Sequence, residues 1–233
     1  MEKQIIQLKD VWKIYRMGEV EVPALRGVEL DVSRGEFLAI SGASGSGKST
    51  MMNLVGCLDV PTRGSIYLDG RDISKLSESQ LASTRGRKIG FIFQQFNLIP
   101  TLSALENVML PLAFQDEDDP VARKKSTELL KMVGLGDRIN HLPSQLSGGQ
   151  MQRVAIARSL AVDPEIILAD EPTGNLDSKT GGFIIDFLRK VHRDDDKTII
   201  MVTHDLHLVK FADRVVYLKD GQIERIEKRR VAK

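Results

Sequence analysis

Phe37-Leu38-Ala39-Ile40-Ser41-Gly42-Ala43-Ser44-Gly45-Ser46-Gly47-Lys48-Ser49-Thr50 is the stretch from which the fold can be read. Its first four residues carry no polar side chain, the pattern of a short strand buried on both faces. Gly42 to Ser49 then matches G-x-x-x-x-G-K-[ST]. Beyond Lys48, the residues Met51, Met52, Leu54 and Val55 predict a buried helix. Gly42, Gly45 and Gly47 let the backbone curl so that successive N–H groups face one anion, and the helix N-terminus adds its partial positive charge. Ser44, Ser46 and Thr50 fill out the loop and the first helical turn. Lys48 is placed to reach the β- and γ-phosphates of a nucleotide, and the Ser49 hydroxyl to coordinate Mg²⁺. An accidental glycine-rich turn would not need a strand before it and a helix after it. Cys57, read as part of the same helix, is expected to be a buried structural thiol.

Further short apolar runs, Ile89 to Phe93, Ile166 to Ala169, Ile199 to Val202 and Val215 to Leu218, alternate with capped helical patterns. That alternation predicts an α/β fold with a largely parallel sheet. Residues from about 3 to 40 have strand character, with turns expected at Met17-Gly18, Arg26-Gly27 and Arg34-Gly35. Together with Ser65 to Leu68 and its Asp69-Gly70 turn they predict an antiparallel flank.

From about Leu98 to Leu160 the strand signals disappear. Ser103-Ala104-Leu105-Glu106 has capping-box spacing. Asp119-Pro120 offers an N-cap and a first-turn proline for a helix that stops near Gly134. The acidic run Asp116 to Asp119 falls at that helix's positive end and reads as a solvated loop. The expectation is one domain, with residues 1–97 and 161–233 forming the α/β core and its flank and residues 98–160 an inserted helical subdomain.

The chain has 233 residues, and 33 Lys and Arg against 32 Asp and Glu leave a formal charge of +1. No net basic field calls for nucleic acid or an anionic bilayer. A single cysteine excludes an intrachain disulfide and points to a reducing compartment. The N-terminal residues do not read as a signal peptide, and no apolar run approaches the roughly 18 to 20 residues needed to span a bilayer. Work at a membrane would therefore need another chain to supply the span.

Ile166-Ile167-Leu168-Ala169-Asp170-Glu171 is a buried-strand run ending in two acids. In a parallel sheet the C-terminal strand ends face the ligand crevice, so these carboxylates should meet the phosphates. Asp170 suits a water-mediated contact to Mg²⁺, and Glu171 suits the orientation and deprotonation of the attacking water. Leu146-Ser147-Gly148-Gly149-Gln150 precedes a helical stretch, Met151 to Leu160. Ser147 and Gln150 have capping-box spacing, and the two glycines leave bare N–H groups at a second helix N-terminus. By itself that segment reads equally as a well-capped helix without a ligand.

These motifs, in this order, resemble the ATP-binding subunit of an ABC (ATP-binding cassette) transporter over essentially the whole chain. The resemblance implies a P-loop NTPase core like that of RecA and gives Ser147, Gly148, Gly149 and Gln150 the role of the family signature. Tyr15 matches the aromatic that stacks on adenine. Gln94 matches the glutamine that contacts Mg²⁺ and the attacking water. Asp177 lies in the loop that crosses to the partner subunit, and His204 matches the histidine on the γ-phosphate. From the residues alone, Tyr15 reads equally as a surface aromatic, Gln94 as a polar strand end, Asp177 as a helix cap and His204 as a core imidazole. The resemblance further implies two copies closing head to tail on two ATP molecules with Mg²⁺, attached to an integral membrane subunit on the cytoplasmic side, with no nucleic-acid partner.

Tyr15 to Gly18, Asn53 to Asp59, Phe93 to Pro100 and Asn107 are most similar to the lipoprotein-release and macrolide-efflux branch. Met151 and Asn175 depart from the commoner residues at their positions. The apolar segment Phe96 to Phe114 is expected to be mostly core, its remaining members lining a groove for a helix of the membrane partner. A DNA-repair or chromosome-organising ATPase of the same superfamily would carry a long coiled-coil insertion, and here 100 residues separate Gly47 from Ser147 with no heptad run. A regulator of a membrane division or signalling complex, gating without transport, would look the same in sequence.

Overall fold

The computed structural model describes residues 3–229, and the chain divides into two compact units. The first comprises residues Met1–Arg85 and Arg189–Lys233, the second Gly86–Leu188.

In the first unit, β1 (Gln4–Met17) and β2 (Val20–Ser33) form a long antiparallel pair. After β3 (Phe37–Ser41) and α1 (Lys48–Val55) come β4 (Arg63–Leu68) and the short β5 (Arg71–Asp72). The strands β2-β1-β4-β5 make the expected antiparallel flank. Helix α2 (Glu78–Lys88) leads the chain into the second unit.

The second unit begins with β6 (Ile89–Ile92) and continues through α3 (Ala104–Ala113), α4 (Asp119–Met132) and α5 (Gly148–Leu160). It closes with β7 (Ile166–Asp170), parallel to β6, and with most of α6 (Ser178–Asp194). No strand interrupts residues 98–160, in line with the loss of strand signals there. Back in the first unit, β8 (Thr198–Val202) and β9 (Arg214–Lys219) both run parallel to β3, and β10 (Gln222–Lys228) turns back antiparallel on β9.

The parallel strands are apolar because both their faces are covered. All five residues of β3 and of β8 are buried, as are the first four of β7. The α1 residues Met51, Met52, Leu54 and Val55 are buried as read. The α/β class with its antiparallel flank is thus the one expected from the sequence.

Three local expectations are corrected. Arg26-Gly27 is no turn but a bulge inside β2: the register slips between Val11↔Val28 and Lys13↔Leu25, and Gly27 takes φ +66°. Helix α4 starts one residue early, with Asp118 at its N-cap and Pro120 in its first turn. Cys57 lies two residues beyond α1, where it is buried at φ +54°. Strand β10 is largely exposed and pairs with β9 as far as Lys228, and residues 230–233 lie outside the described residues.

Candidate functional site

The first unit carries a phosphate cradle. Strand β3 delivers the loop, and α1 begins at Lys48 with Gly47 as its N-cap at φ +103°, a conformation that favours glycine. A Cβ on Gly47 would lie 2.6 Å from the Ala24 carbonyl oxygen, and one on Gly42 2.2 Å from that of Leu218. Both glycines are therefore needed to let the loop pass its neighbours. Lys48 is 8% exposed, and its ammonium donates to the carbonyls of Gly42 (2.8 Å) and Ala43 (2.7 Å). The Ser46 hydroxyl is buried with no hydrogen-bond partner. A cradle closed to side chains at Gly42 and Gly47, a buried cation and an orphaned hydroxyl together suit a polyphosphate. Ser44, Gly45 and Ser49 are exposed, and Thr50 is half-buried.

Two more predicted residues lie in this unit. The Thr203 N–H bonds the Ile40 carbonyl at 3.1 Å, and Ile40 pairs with Val202, so His204 follows β8 at the strand ends that also launch the cradle. Tyr15 stands on β1, 37% exposed, with its hydroxyl donating to Asp59 at 3.3 Å. The Lys13 ammonium pairs with the same carboxylate at 2.6 Å and lies 5.1 Å from the Tyr15 ring centre.

The second unit gathers the other predicted residues. Asp170 ends β7 and Gln94 stands two residues past β6, and Ile92 pairs with Ala169, so both follow neighbouring parallel strands. Glu171 is half-buried at φ +43°, a strained backbone for a residue with a Cβ and a frequent mark of a functional position. The Gly174 N–H closes that turn on the Glu171 carbonyl at 3.0 Å. A Cβ on Gly174 would sit 2.9 Å from the Gln94 amide nitrogen, so the Gln94 side chain rests on this glycine.

Ser147 is the N-cap of α5, and the expected capping box is present: its hydroxyl accepts from the Gln150 N–H at 3.3 Å, and the Gln150 side chain accepts from the Ser147 N–H at 2.8 Å. The Gly148 and Gly149 N–H groups begin the helix, where no intrahelical acceptor exists. Asp177 does cap α6, accepting from the backbone of Lys179 (3.1 Å) and Thr180 (3.0 Å). The Thr180 hydroxyl, donating at 2.6 Å, holds the Asp177 carboxyl below its ordinary range, aided by those backbone bonds. A Cβ on Gly149 would lie 2.4 Å from the Thr180 methyl, so the signature helix meets the Asp177 turn at a glycine. Signature and turn therefore share one surface of this unit.

Gln152 and Arg158 belong to no motif of the sequence, and Asn175 stands out there only as a departure from the commoner residue. Gln152, Arg158 and Asn175 hold backbone carbonyls around Gln94 and Glu171. A polar Gln152 in phase with the apolar Ile156 of α5 was the available signal. The segment Phe96 to Phe114 is less buried than expected: Leu105, Val108 and Leu112 are core, Phe96, Leu98, Leu102 and Leu110 are half-buried, and Ile99 and Phe114 are exposed. Among the described residues, no group of three or more His, Cys, Asp or Glu could hold a metal by itself. No helix among them is long and apolar enough to cross a membrane.

A P-loop entered from a buried parallel strand, with an acid pair at the end of another, defines an α/β nucleoside triphosphatase. A family model described as ABC transporter matches residues 25–174, and the chain belongs to that family as an ATP-binding, ATP-hydrolysing subunit. The ATP-binding cassette MJ0796 of Methanocaldococcus jannaschii, solved as a dimer in a post-hydrolysis state bound to ADP and Pi, superposes with a TM-score of 0.91 at 52% identity. That likeness covers 97% of this chain and 100% of the other. An ABC transporter ATP-binding protein of Thermotoga maritima is 53% identical over 229 residues, covering 98% of this chain and 97% of that one. MacB of Syntrophobacter fumaroxidans, a macrolide export ATP-binding/permease protein, is 50% identical over 222 residues, which are 94% of this chain and 31% of MacB.

Proposed function

We propose that two copies of this chain close head to tail on two ATP molecules, and that closing and release drive an integral membrane partner on the cytoplasmic side, in export or in force transmission. The observation that carries the reading is the exposed, capped N-terminus of α5 at Ser147, a second anion-binding helix end in addition to that of α1. One chain has one cradle and one such signature, so a two-sided phosphate pocket needs a second copy. The dimeric MJ0796 cassette and the MacB likeness support the pairing and the export assignment.

The residues take these parts. The Tyr15 ring stacks on adenine. The loop N–H groups from Gly42 to Lys48 and the Lys48 ammonium bind the β- and γ-phosphates, with Ser44, Ser46 and Thr50 hydroxyls beside them. Hard oxygen donors, the Ser49 hydroxyl, the Gln94 amide oxygen and the Asp170 carboxylate, suit Mg²⁺, which would supply charge neutralisation on the phosphates. Glu171 orients the attacking water and takes its proton on a carboxylate oxygen. The His204 imidazole holds the γ-phosphate from the side of β8. Across the interface, the Ser147 hydroxyl and the Gly148 and Gly149 N–H groups of the second copy receive the same phosphate, with Gln150 fixing their geometry and Asp177 the crossing loop. Hydrolysis removes the charge that these groups share, and the copies part.

The test is Glu171→Gln, which keeps the shape and removes the base. Turnover should fall about 10² to 10⁴-fold, the usual worth of a general base. With Mg-ATP the variant should elute as a dimer from a sizing column. A variant that hydrolyses normally, or that stays monomeric at saturating Mg-ATP, would overturn the reading.

A further inference from the structure

Five residues of the second unit, Phe93 to Asn97, connect β6 to the loop before α3, and four of their carbonyls are held by side chains from other segments. Gln152 of α5 donates to the Phe93 carbonyl at 3.4 Å. Asn175 donates to that of Gln94 at 3.1 Å. Arg158 of α5 donates to those of Phe96 (2.9 Å) and Asn97 (2.6 Å). Gln152 does more than its neighbours. It is fully buried, and the same amide nitrogen donates to the Pro172 carbonyl at 2.7 Å. One NH₂ group therefore binds the carbonyl of the residue before Gln94 and the carbonyl of the residue after Glu171.

The other end of this side chain shows why the residue is glutamine. Its Oε1 is buried with no hydrogen-bond partner. An interior acceptor left unpaired is a cost that a methionine or leucine would avoid. The amide is kept for its donors, which means that the two carbonyls need to be held. Gln152 lies two residues past Gln150, in the second turn of the signature helix.

We propose that Gln152 is a positioning residue for hydrolysis: it locks the backbone beside Gln94 and beside Glu171 to the signature helix, so that the water-binding side chains of one copy follow that helix when it meets the phosphate held in the other copy's cradle. The proposal rests on the roles given above to Glu171 and Gln94 and adds the link between them. The loop from Gly42 to Lys48, which makes the cradle's own phosphate contacts, belongs to the other unit, so the affinity of that loop for ATP should change little without the lock. Misplacing reacting groups by about an ångström can cost on the order of 10²-fold in rate.

The experiment uses the full chain with three variants. Gln152→Met fills the space without a donor and should lower kcat about 10 to 100-fold while KM for ATP and the melting temperature hold. In Gln152→Glu only the protonated carboxyl has an O–H for the Pro172 carbonyl. Its activity relative to wild type should therefore fall as pH rises through the titration of that buried acid. Glu171→Gln serves as the control on the reading beneath. Unchanged kcat in Gln152→Met, or kcat, KM and melting temperature dropping together, would overturn the lock. Should Gln152→Met fail to fold, a flat relative pH profile in Gln152→Glu would overturn it alone. Full turnover by Glu171→Gln would instead remove the underlying assignment, and loss there with an unaffected Gln152→Met would sink only the lock.

Discussion

Asn107→Leu tests how the loop that follows Gln94 is held. Asn107 is fully buried on α3, and its side chain makes four hydrogen bonds. Its Oδ1 accepts from the Ile99 N–H at 2.8 Å, and its Nδ2 donates to the carbonyls of Ile99 (3.1 Å), Leu102 (2.9 Å) and Ser103 (3.0 Å). Leucine has nearly the same size and none of these groups. Two of the carbonyls keep another donor, because Ile99 also accepts from the Leu102 N–H and Ser103 from the Asn107 N–H. The change thus strands the Ile99 N–H and the Leu102 carbonyl. A buried group left unpaired costs about 1–3 kcal/mol, and two give about 2–6 kcal/mol. Ile99 is 37% exposed, so water can reach this peptide and the lower part of that range applies, about 2–3 kcal/mol. Urea unfolding followed by far-ultraviolet circular dichroism measures it. Asn107→Asp sharpens the test: it keeps the acceptor for Ile99 but sets a carboxylate against three carbonyls, so its loss should be largest near neutral pH and shrink as the acid protonates. A loss below about 1 kcal/mol for Asn107→Leu, or a pH-independent Asn107→Asp, would refute the network.

Stability should also depend on pH through His192. Its Nδ1 lies 3.1 Å from the Lys197 carbonyl and its Nε2 3.5 Å from Asp213, an arrangement that uses both nitrogens as donors. The hydrogen bond to Asp213 holds the imidazole above its ordinary 6.5, against the effect of burial. A raised histidine pKa means that the contribution is full below pH 6.5 and disappears as pH rises through the higher folded value. Denaturation midpoints should therefore fall as pH rises above about 6.5 in wild type and stay level in His192→Gln; equal slopes would count against the pair. Cys57 should resist a thiol reagent in the native protein at pH 8 and react fully in denaturant, because burial pushes its thiol up to about 11. Rapid native labelling would contradict that burial.

What could be read in the sequence follows the range of the cause. The buried strands, the cradle and both serine capping boxes are local: apolar runs of four or five residues, fixed glycine spacing, a hydroxyl three residues before its partner. The bulge at Gly27 was mistaken for a turn because a glycine at positive φ serves either purpose, and only pairing with β1 decides. The helix start at Asp118 was off by one because consecutive acids at 116–119 compete for the cap. The holding roles of Gln152, Arg158 and Asn175 are hidden for a different reason. Each acts on a peptide carbonyl distant in sequence, and a carbonyl leaves no mark in a sequence. The residues that bear chemistry were visible by type and order, while those that hold them in place became visible only with coordinates.

That division bears on how the second unit works. The Glu171 turn stands at a strained φ of +43°, and Asn97, at the end of the Gln94 loop, at +50°. Backbone in that region does not hold itself for residues with a Cβ; the surrounding contacts must over-determine it. For Glu171 they are the Gly174 N–H on its own carbonyl and the Gln152 amide on the next. For Asn97 the contact is Arg158, whose two guanidinium nitrogens clasp consecutive carbonyls and whose burial lowers its pKa without removing its charge. Arg158→Lys should therefore behave as a loss, since one ammonium on a flexible stem lacks the fork that grips both peptides. The expected outcome is a destabilisation of about 1–2 kcal/mol in urea with the ATP affinity of the cradle retained, and a silent Arg158→Lys would show that the loop holds its strained form unaided.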